Sequence, residues 1–448
     1  MHVFEALGEH LVLDVGSGVL HRVDKDAAEV IDLISKGYEE KEIIEISDIE
    51  NSIVKEVIEE VNILKEKGLI FADEIVTEYS PKLDDTVVKA LCLHIAHDCN
   101  MRCQYCFAET GEYKVGKREL MSIEVAKKAI DYLLESSLTR TNLEVDFFGG
   151  EPLLNFEVVK ETVKYAKAKE VSFNKNIRFT LTTNGILLDD KKIDSIKDNE
   201  IQLIMSHDGR EEVHNKMRPL TGKKGSYKRV TKNFKNAIIK GIKDYHIRGT
   251  FTSYNKDFMK DIKHIIELGF NKISFEPVVT DLKEEYALHE SDLTYLKDEY
   301  KKLAEYYLDE HKNNNPFTFF HYEIDLNQGP CLAKRLSGCG AGYDYLAVAP
   351  NGDLYPCHQF VGIDEFKMGN VSTSGYKKDI AEKFINAHVL NKSKCNDCFA
   401  KYYCSGGCHA DAYFRNGNFY EPVDFSCELQ KTRVEYALAI RACLNNEK

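Results

Sequence analysis

The chain has 448 residues, 43% hydrophobic and 30% charged, with a formal net charge of −13. That is enough chain for about three domains with a large core, and the balance is that of a globular protein. Thirteen cysteines, no basic-then-apolar secretory start and no run of about 18 apolar residues argue against a disulfide scaffold and a membrane-spanning helix; they predict metal or redox chemistry in a reducing cytoplasm.

Residues 1–80 hold 20 Asp and Glu against 7 Lys and Arg, a balance equal to the −13 of the whole chain, so the rest is close to neutral. The alternation in Val3-Phe4, Leu11 to Val15 and Val19 to Val23, with Gly16-Ser17-Gly18 as a turn, predicts short strands with a hairpin. Helical patterns follow at Asp26 to Ser35, Glu40 to Ile46 and Asn51 to Lys67. Asn51 is the expected cap of the third helix, and Ile53, Val57, Val61 and Leu64 lie on one face. Strands followed by three helices predict a winged-helix-like domain. Winged helices often bind DNA, but the acidic balance opposes phosphate, so no nucleic-acid partner is expected. The order also resembles the leader-peptide recognition domain of peptide-modifying enzymes, which implies that an extended leader adds a strand to the sheet edge and packs against the third helix. The plainer alternative is a domain that only caps its neighbour.

Residues 75–87, with Pro81, read as a linker. Strand patterns then fall at 87–95, 143–148, 177–183, 201–206, 245–252 and 272–278, with helical stretches at 122–136, 156–170, 190–198, 227–240, 258–268 and 291–312. Six strand-then-helix units predict an α/β partial (β/α)6 barrel over residues 81–315, with its site at the C-terminal ends of the strands.

The first of those ends carries Cys99-Asn-Met-Arg-Cys103-Gln-Tyr-Cys106. Thiolates are the usual ligands of [4Fe–4S] cubes. Three in one loop leave one iron open for another molecule. Chance gives this spacing in roughly one chain in a hundred of this length and cysteine content. The alternative is a zinc site, whose short pairs are more often CxxC and whose four ligands close around the metal. The spacing, with Tyr105 before the last cysteine, resembles the signature of the radical S-adenosylmethionine (radical SAM) enzymes. The resemblance implies that the open iron chelates the amino and carboxylate groups of S-adenosylmethionine, that Tyr105 lies against the adenine, and that an external low-potential donor reduces the cluster. Reductive cleavage then yields methionine and a 5′-deoxyadenosyl radical. It also implies that Gly149-Gly150-Glu151 contacts the methionine amino group, two glycines allowing close backbone approach. Thr183 and Asn184 end the third strand; by resemblance Ser206 and Asp208, ending the fourth, meet the ribose or substrate, and Arg248 on the fifth meets the cofactor carboxylate. The sixth ends at Glu276-Pro277. His214 and Arg218 either line the site or sit in a solvated loop.

Past residue 330 the pattern is Cys339-x12-Gly352-x4-Cys357, then Cys395-xx-Cys398-x5-Cys404-xxx-Cys408, then Cys427. It resembles the seven-cysteine SPASM extension, which defines a third domain at 316–448 and implies two auxiliary [4Fe–4S] clusters, three in all. By that resemblance Cys339, Cys357 and Cys408 hold the nearer one, and Cys395, Cys398, Cys404 and Cys427 the distal one. A pair of zinc sites is the alternative. Asn351-Gly352-Asp353 predicts a hairpin that brings Cys339 and Cys357 together on adjacent strands. Cys92 and Cys443 read as small apolar side chains. Cys331 either supplies a fourth ligand to the nearer cluster or leaves one iron open for a substrate thiolate. The whole chain is most similar to the thioether-forming SCIFF peptide maturases. That implies a sulfur-to-carbon crosslinking activity on a ribosomal, cysteine-rich precursor with an N-terminal leader. An anaerobic sulfatase-maturase-like enzyme oxidising a Cys or Ser side chain, and a non-catalytic Fe–S regulator, are the other readings.

Overall fold

The computed structural model describes residues 1–74, 76–324, 326, 332–373 and 375–444. Strands β1 (His2–Ala6), β2 (Glu9–Leu13) and β3 (Leu20–Val23) form an antiparallel sheet in that order. Asp14 fixes the second turn by accepting from the Ser17 N–H and hydroxyl. Helices α1 (Lys25–Ser35), α2 (Glu40–Ile46) and α3 (Asn51–Glu66) follow. The Asp24 side chain caps α1 by accepting from the Ala27 N–H at 2.8 Å. Asn51 is not the cap of α3 but its first residue; Glu50 stands at the cap. Val54, Val57 and Val61 of α3 bury against Val12, Val30, Ile31 and Ile43. Strand alternation sends Leu11 and Leu13 to the other face. There Leu13 packs on Val434 and Leu438, and Leu11 on Ala439. The small sheet is thus a middle layer, docked on the last helix of the chain.

The central part runs β4 (Ala90–His97), β5 (Glu119–Leu120), α4 (Ile123–Ser136), β6 (Asn142–Gly149), α5 (Phe156–Phe173), β7 (Asn176–Thr183), α6 (Asp190–Asp198) and β8 (Gln202–Ser206). It continues with α7 (Glu211–Met217), α8 (Tyr227–Ile239), β9 (Tyr245–Phe251), α9 (Phe258–Glu267), β10 (Lys272–Pro277), α10 (Leu293–Lys312) and β11 (Thr318–Phe319). After these come α11 (Leu332–Ser337), β12 (Tyr345–Val348), β13 (Asp353–Tyr355), β14 (Gly369–Asn370), α12 (Lys378–Ile385), α13 (Ser393–Asn396), α14 (Lys401–Cys404), α15 (His409–Asn416) and α16 (Asp424–Leu444).

These strands make one sheet of order β11-β10-β9-β8-β7-β6-β4-β12-β13-β14, with β5 on the side of β4. The six expected strands are its centre and are parallel. The path does not close, so the barrel is partial. Two more parallel strands flank the six: β11 on β10, and β12 on β4 with Tyr345 opposite Ala90 and Val348 opposite Leu93. The sheet therefore passes from the barrel into the cysteine-rich segment without a break. All eight residues of β4 are buried, as a strand covered on both faces requires. Val145 and Phe147, Phe179 and Leu181, and Ile273 and Phe275 share one core with α4, α5 and α9. Their alternates, including Asp146, Thr180, Arg248 and Glu276, lie on the face away from those helices. No described helix is long and apolar enough to cross a membrane.

Candidate functional site

The cysteine loop is braced from both sides. Asp98, next after β4, accepts from the Cys99 N–H and from Arg118, both at 2.8 Å. Arg102 donates to the Cys99 and Met101 carbonyls at 2.7 Å, while the Arg102 and Gln104 N–H groups donate to Pro219 and Met217. The sulfurs already accept backbone donors: Met101 N–H to Cys99 at 3.4 Å and Thr110 N–H to Cys106 at 3.3 Å. Burial pushes the Cys99 thiol up to about 12, and Glu151 and the other two thiols push the same way. Cys103 rises to about 11, also mainly by burial. Two crowded thiols that resist ionisation, Cys99 and Cys103, suit a cationic guest, because a bound metal displaces their protons.

Tyr105 reaches away from this loop. Its hydroxyl donates to Asp208 at 2.6 Å and accepts from Arg218 at 2.8 Å, while the Thr250 N–H donates to the other Asp208 oxygen at 3.2 Å. Asp208, Arg218 and His214 are all buried. His214 belongs to α7 and Arg218 ends it, so neither is in a solvated loop.

Gly149 and Gly150 allow a close approach within the chain itself. A Cβ at Gly149 would collide with the Ala96 carbonyl, and one at Gly150 with the Asp98 carbonyl. Their neighbours are the end of β4: the Gly150 N–H donates to Ala96 at 2.7 Å and the Glu151 N–H to Asp98 at 2.9 Å. The buried Glu151 carboxylate accepts from the Thr183 hydroxyl, the Asn184 N–H and the Leu153 N–H at 2.7–3.0 Å, joining the ends of β6 and β7. The Asn184 amide extends to Cys99 Sγ at 3.6 Å and Asn100 at 2.8 Å. Ser206 stands opposite Arg248 in the β8–β9 register.

Glu276 ends β10 in a cationic setting the local sequence does not announce. His321 lies 3.0 Å from one carboxylate oxygen, and Arg433 of α16 lies 3.2 Å from the other and donates to Tyr300. Burial pushes the carboxyl up, but His321, Arg433 and Arg248 outweigh it and hold it well below the usual range. Glu276 is a carboxylate at any physiological pH, a hydrogen-bond acceptor and counter-ion to Arg433 rather than a base.

All twelve cysteines among the described residues are free thiols. Cys339 and Cys357 are not on adjacent strands. They flank the β12–β13 hairpin, Cys339 before it and Cys357 after it. Burial pushes the Cys357 thiol up, and Cys408 and Cys339 add to this. A second set is linked in the same way. Burial raises Cys395, Cys404 and Cys427 to about 11 each; Cys427 and Cys398 act on Cys395, Cys395 and Cys398 on Cys404, and Cys404 and Cys398 on Cys427. Among the described residues no three His, Cys, Asp or Glu side chains could hold a single metal ion. Cys92 is buried in β4, Cys443 is half-buried, and Cys331 lies outside the described residues. The loop and the array meet: Phe107, beside Cys106, lies 5.5 Å from the ring of His358, beside Cys357, and Phe148 lies 5.1 Å from it.

Residues 93–269 match the Radical SAM superfamily, and residues 339–399 match the SPASM iron–sulfur cluster-binding domain. The chain carries a radical SAM domain and a SPASM domain. It is 27% identical over 352 residues to a cysteine-type anaerobic sulfatase-maturating enzyme of Clostridium novyi, covering 71% of this chain and 88% of that one. It is 25% identical over 464 residues to the radical SAM cyclopropyl synthase TigE of Paramaledivibacter caminithermalis, covering 96% and 91%. The structure of Streptococcus suis SuiB bound to precursor peptide SuiA shares the fold, with a TM-score of 0.52 at 16% identity over 93% of this chain and 97% of that one. The radical SAM domain spans β4 to α9, and the SPASM match begins at Cys339.

Proposed function

We propose that this chain is a peptide maturase that joins cysteine sulfur to carbon in a ribosomally made, cysteine-rich precursor. In this reading Cys99, Cys103 and Cys106 hold the first [4Fe–4S] cluster, Cys339, Cys357 and Cys408 the second, and Cys395, Cys398, Cys404 and Cys427 the third. With these and S-adenosylmethionine bound, the site abstracts hydrogen from an unactivated carbon. The observation that carries the reading is the contact of Phe107 and Phe148 with His358. It joins the first cysteine loop to the Cys357 group, which supports placing the two centres side by side around one peptide. A thioether needs both: a carbon centre generated on one side and a sulfur held beside an electron acceptor on the other. Tyr105, Gly149 and Gly150 shape the cofactor side, while Glu151, Thr183 and Asn184 fix the loop; Ser206, Asp208 and Arg248 stand at the next strand ends.

Residues 1–80 form the leader-recognition domain in this proposal, a winged-helix-like unit ahead of a barrel domain at 81–315 and a cluster domain at 316–448. β3 pairs only with β2 among the described residues, which leaves an edge for strand addition. A cleft of about 480 Å³ runs between the β2–β3 turn and the array. Leu13, Val15, Phe399 and Tyr403 line it, and so does His321, the neighbour of Glu276. It offers an extended peptide a route from the N-terminal domain toward the strand ends. A precursor peptide bound to SuiB supports the substrate class.

The sulfatase-maturating relative favours a second reading, oxidation of a single Cys or Ser side chain. One experiment separates them. Reduced, reconstituted protein is incubated with S-adenosylmethionine and a cysteine-rich precursor peptide carrying an N-terminal leader. A thioether removes two hydrogens, keeps the sulfur and blocks alkylation of the thiol; single-residue oxidation at Cys expels the sulfur. Release of no 5′-deoxyadenosine would leave only the regulator. Removing residues 1–80 should abolish crosslinking while uncoupled 5′-deoxyadenosine formation continues, and unchanged peptide affinity would make the domain a cap.

A further inference from the structure

Lys392 lies just before α13 and is fully buried. Its ammonium donates to the Gly406 carbonyl at 2.7 Å. Gly406 has φ +83°, and a Cβ there would stand 3.2 Å from the Lys392 nitrogen, so the ammonium lies against the turn between Cys404 and Cys408. Lysines are almost never fully buried without a counter-ion, because an unpaired ammonium loses its hydration with nothing to replace it. The contrast with Lys401 is direct: that equally hidden lysine pairs with Glu74. Among the described residues Lys392 pairs with no carboxylate. Burial pushes its ammonium toward the neutral form, and the groups opposing this are the thiols of Cys395, Cys404, Cys408 and Cys427. Three of these four belong to the distal set.

Four thiolates outweigh the charge of an oxidised [4Fe–4S] cube, which leaves a net anion whose charge grows on reduction. A cation fixed beside it stabilises the reduced form more than the oxidised one, and local charge and hydrogen bonding set such potentials. We propose that Lys392 is the built-in counter-ion of the cluster held by Cys395, Cys398, Cys404 and Cys427, and that its charge makes this cluster easier to reduce. Lys392 is a positioning residue for charge, not a ligand. The inference rests on the ligand assignment given above.

The test compares reconstituted wild-type protein with Lys392→Met and Lys392→Arg. It reads iron content and, by spectroscopically monitored redox titration, the potential of each cluster. Lys392→Met should shift the distal cluster to a more negative potential without moving the first cluster, and Lys392→Arg should restore it. If Lys392→Met loses about one third of the iron and Lys392→Arg keeps it, the charge is required for the cluster to bind at all, which also supports the proposal. Full iron with an unmoved distal potential in Lys392→Met overturns it. So does loss of iron in both variants, because shape rather than charge would then be what the position supplies. Cys404→Ala checks the underlying assignment separately: unchanged iron in that variant would remove the ligand reading, whatever the lysine does.

Discussion

The Tyr105 hydroxyl donates to the Asp208 carboxylate at 2.6 Å and ties the cysteine loop after β4 to the end of β8, across the two strands between them. Arg218 completes the link from the end of α7. Asp208 and Arg218 are buried and Tyr105 is half-buried between them, so removing the tyrosine hydroxyl breaks both of its bonds at once.

Tyr105→Phe should therefore destabilise the protein by roughly 1–3 kcal/mol, and Asp208→Ala by more, since it takes the acceptor from both the Tyr105 hydroxyl and the Thr250 N–H and removes a negative charge that attracts Arg218. Denaturant unfolding of the two variants gives the order. An Asp208→Ala variant no less stable than Tyr105→Phe would show that the Asp208 charge and its bond from Thr250 add nothing to the Tyr105 contact.

Substituting alanine for Cys99, Cys103 and Cys106 together should remove about one third of the iron of a protein that otherwise carries about 12 per chain, along with all cleavage of S-adenosylmethionine. The two readouts are independent. Cleavage that survives in the triple variant would take the first cluster away from this loop.

The barrel strands were legible because each is a short apolar or alternating run closed by turn residues. Their flanks were not. Thr318–Phe319 is two residues long, and the pairing of β12 with β4 joins segments 255 residues apart at Lys89 and Asp344. Helix α7 was missed because its sequence, Glu-Glu-Val-His-Asn-Lys-Met, offers two apolar side chains and leads into Arg218-Pro219. The Gly149-Gly150-Glu151 segment stands out by its resemblance, which does not convey that its glycines also admit the backbone of Ala96 and Asp98 and that its glutamate clamps two strand ends. Nothing near Glu276 points to Arg433. Only the docking of α16 brings it there.

Asp146, on the open face of β6, gives a pH dependence with a definite sign. Burial pushes its carboxyl up to about 6, against a hydrogen bond from Thr180 and with a small addition from Glu144. In the unfolded chain it ionises near 3.9. Between those values the native protein holds a proton the unfolded chain has released, so this residue makes stability fall as pH rises from about 4 to about 6.5 and then level off. Asp146→Asn should remove that component and be the more stable protein at neutral pH, by at most about 3 kcal/mol. Unfolding of both proteins across this range checks it. A difference that does not change with pH would mean that Asp146 titrates as an exposed carboxylate.

The Cys357 group contains three thiols where a closed cubane needs four ligands. Cys331, in Gly329-Pro330-Cys331, is eight residues before Cys339 and is the nearest further cysteine in sequence. If it is a ligand, the cluster is coordinatively closed and serves only to pass electrons. If it is not, the fourth iron is free to take the substrate's cysteine. Coordination to iron would lower that thiol's pKa and hold it as thiolate beside the carbon to be joined. Under the proposed function, thioether formation requires such a thiolate near an electron acceptor, so we expect Cys331→Ala to keep its iron and crosslink at close to the normal rate. Loss of about four irons per chain together with crosslinking would make Cys331 the fourth ligand and sink the open site.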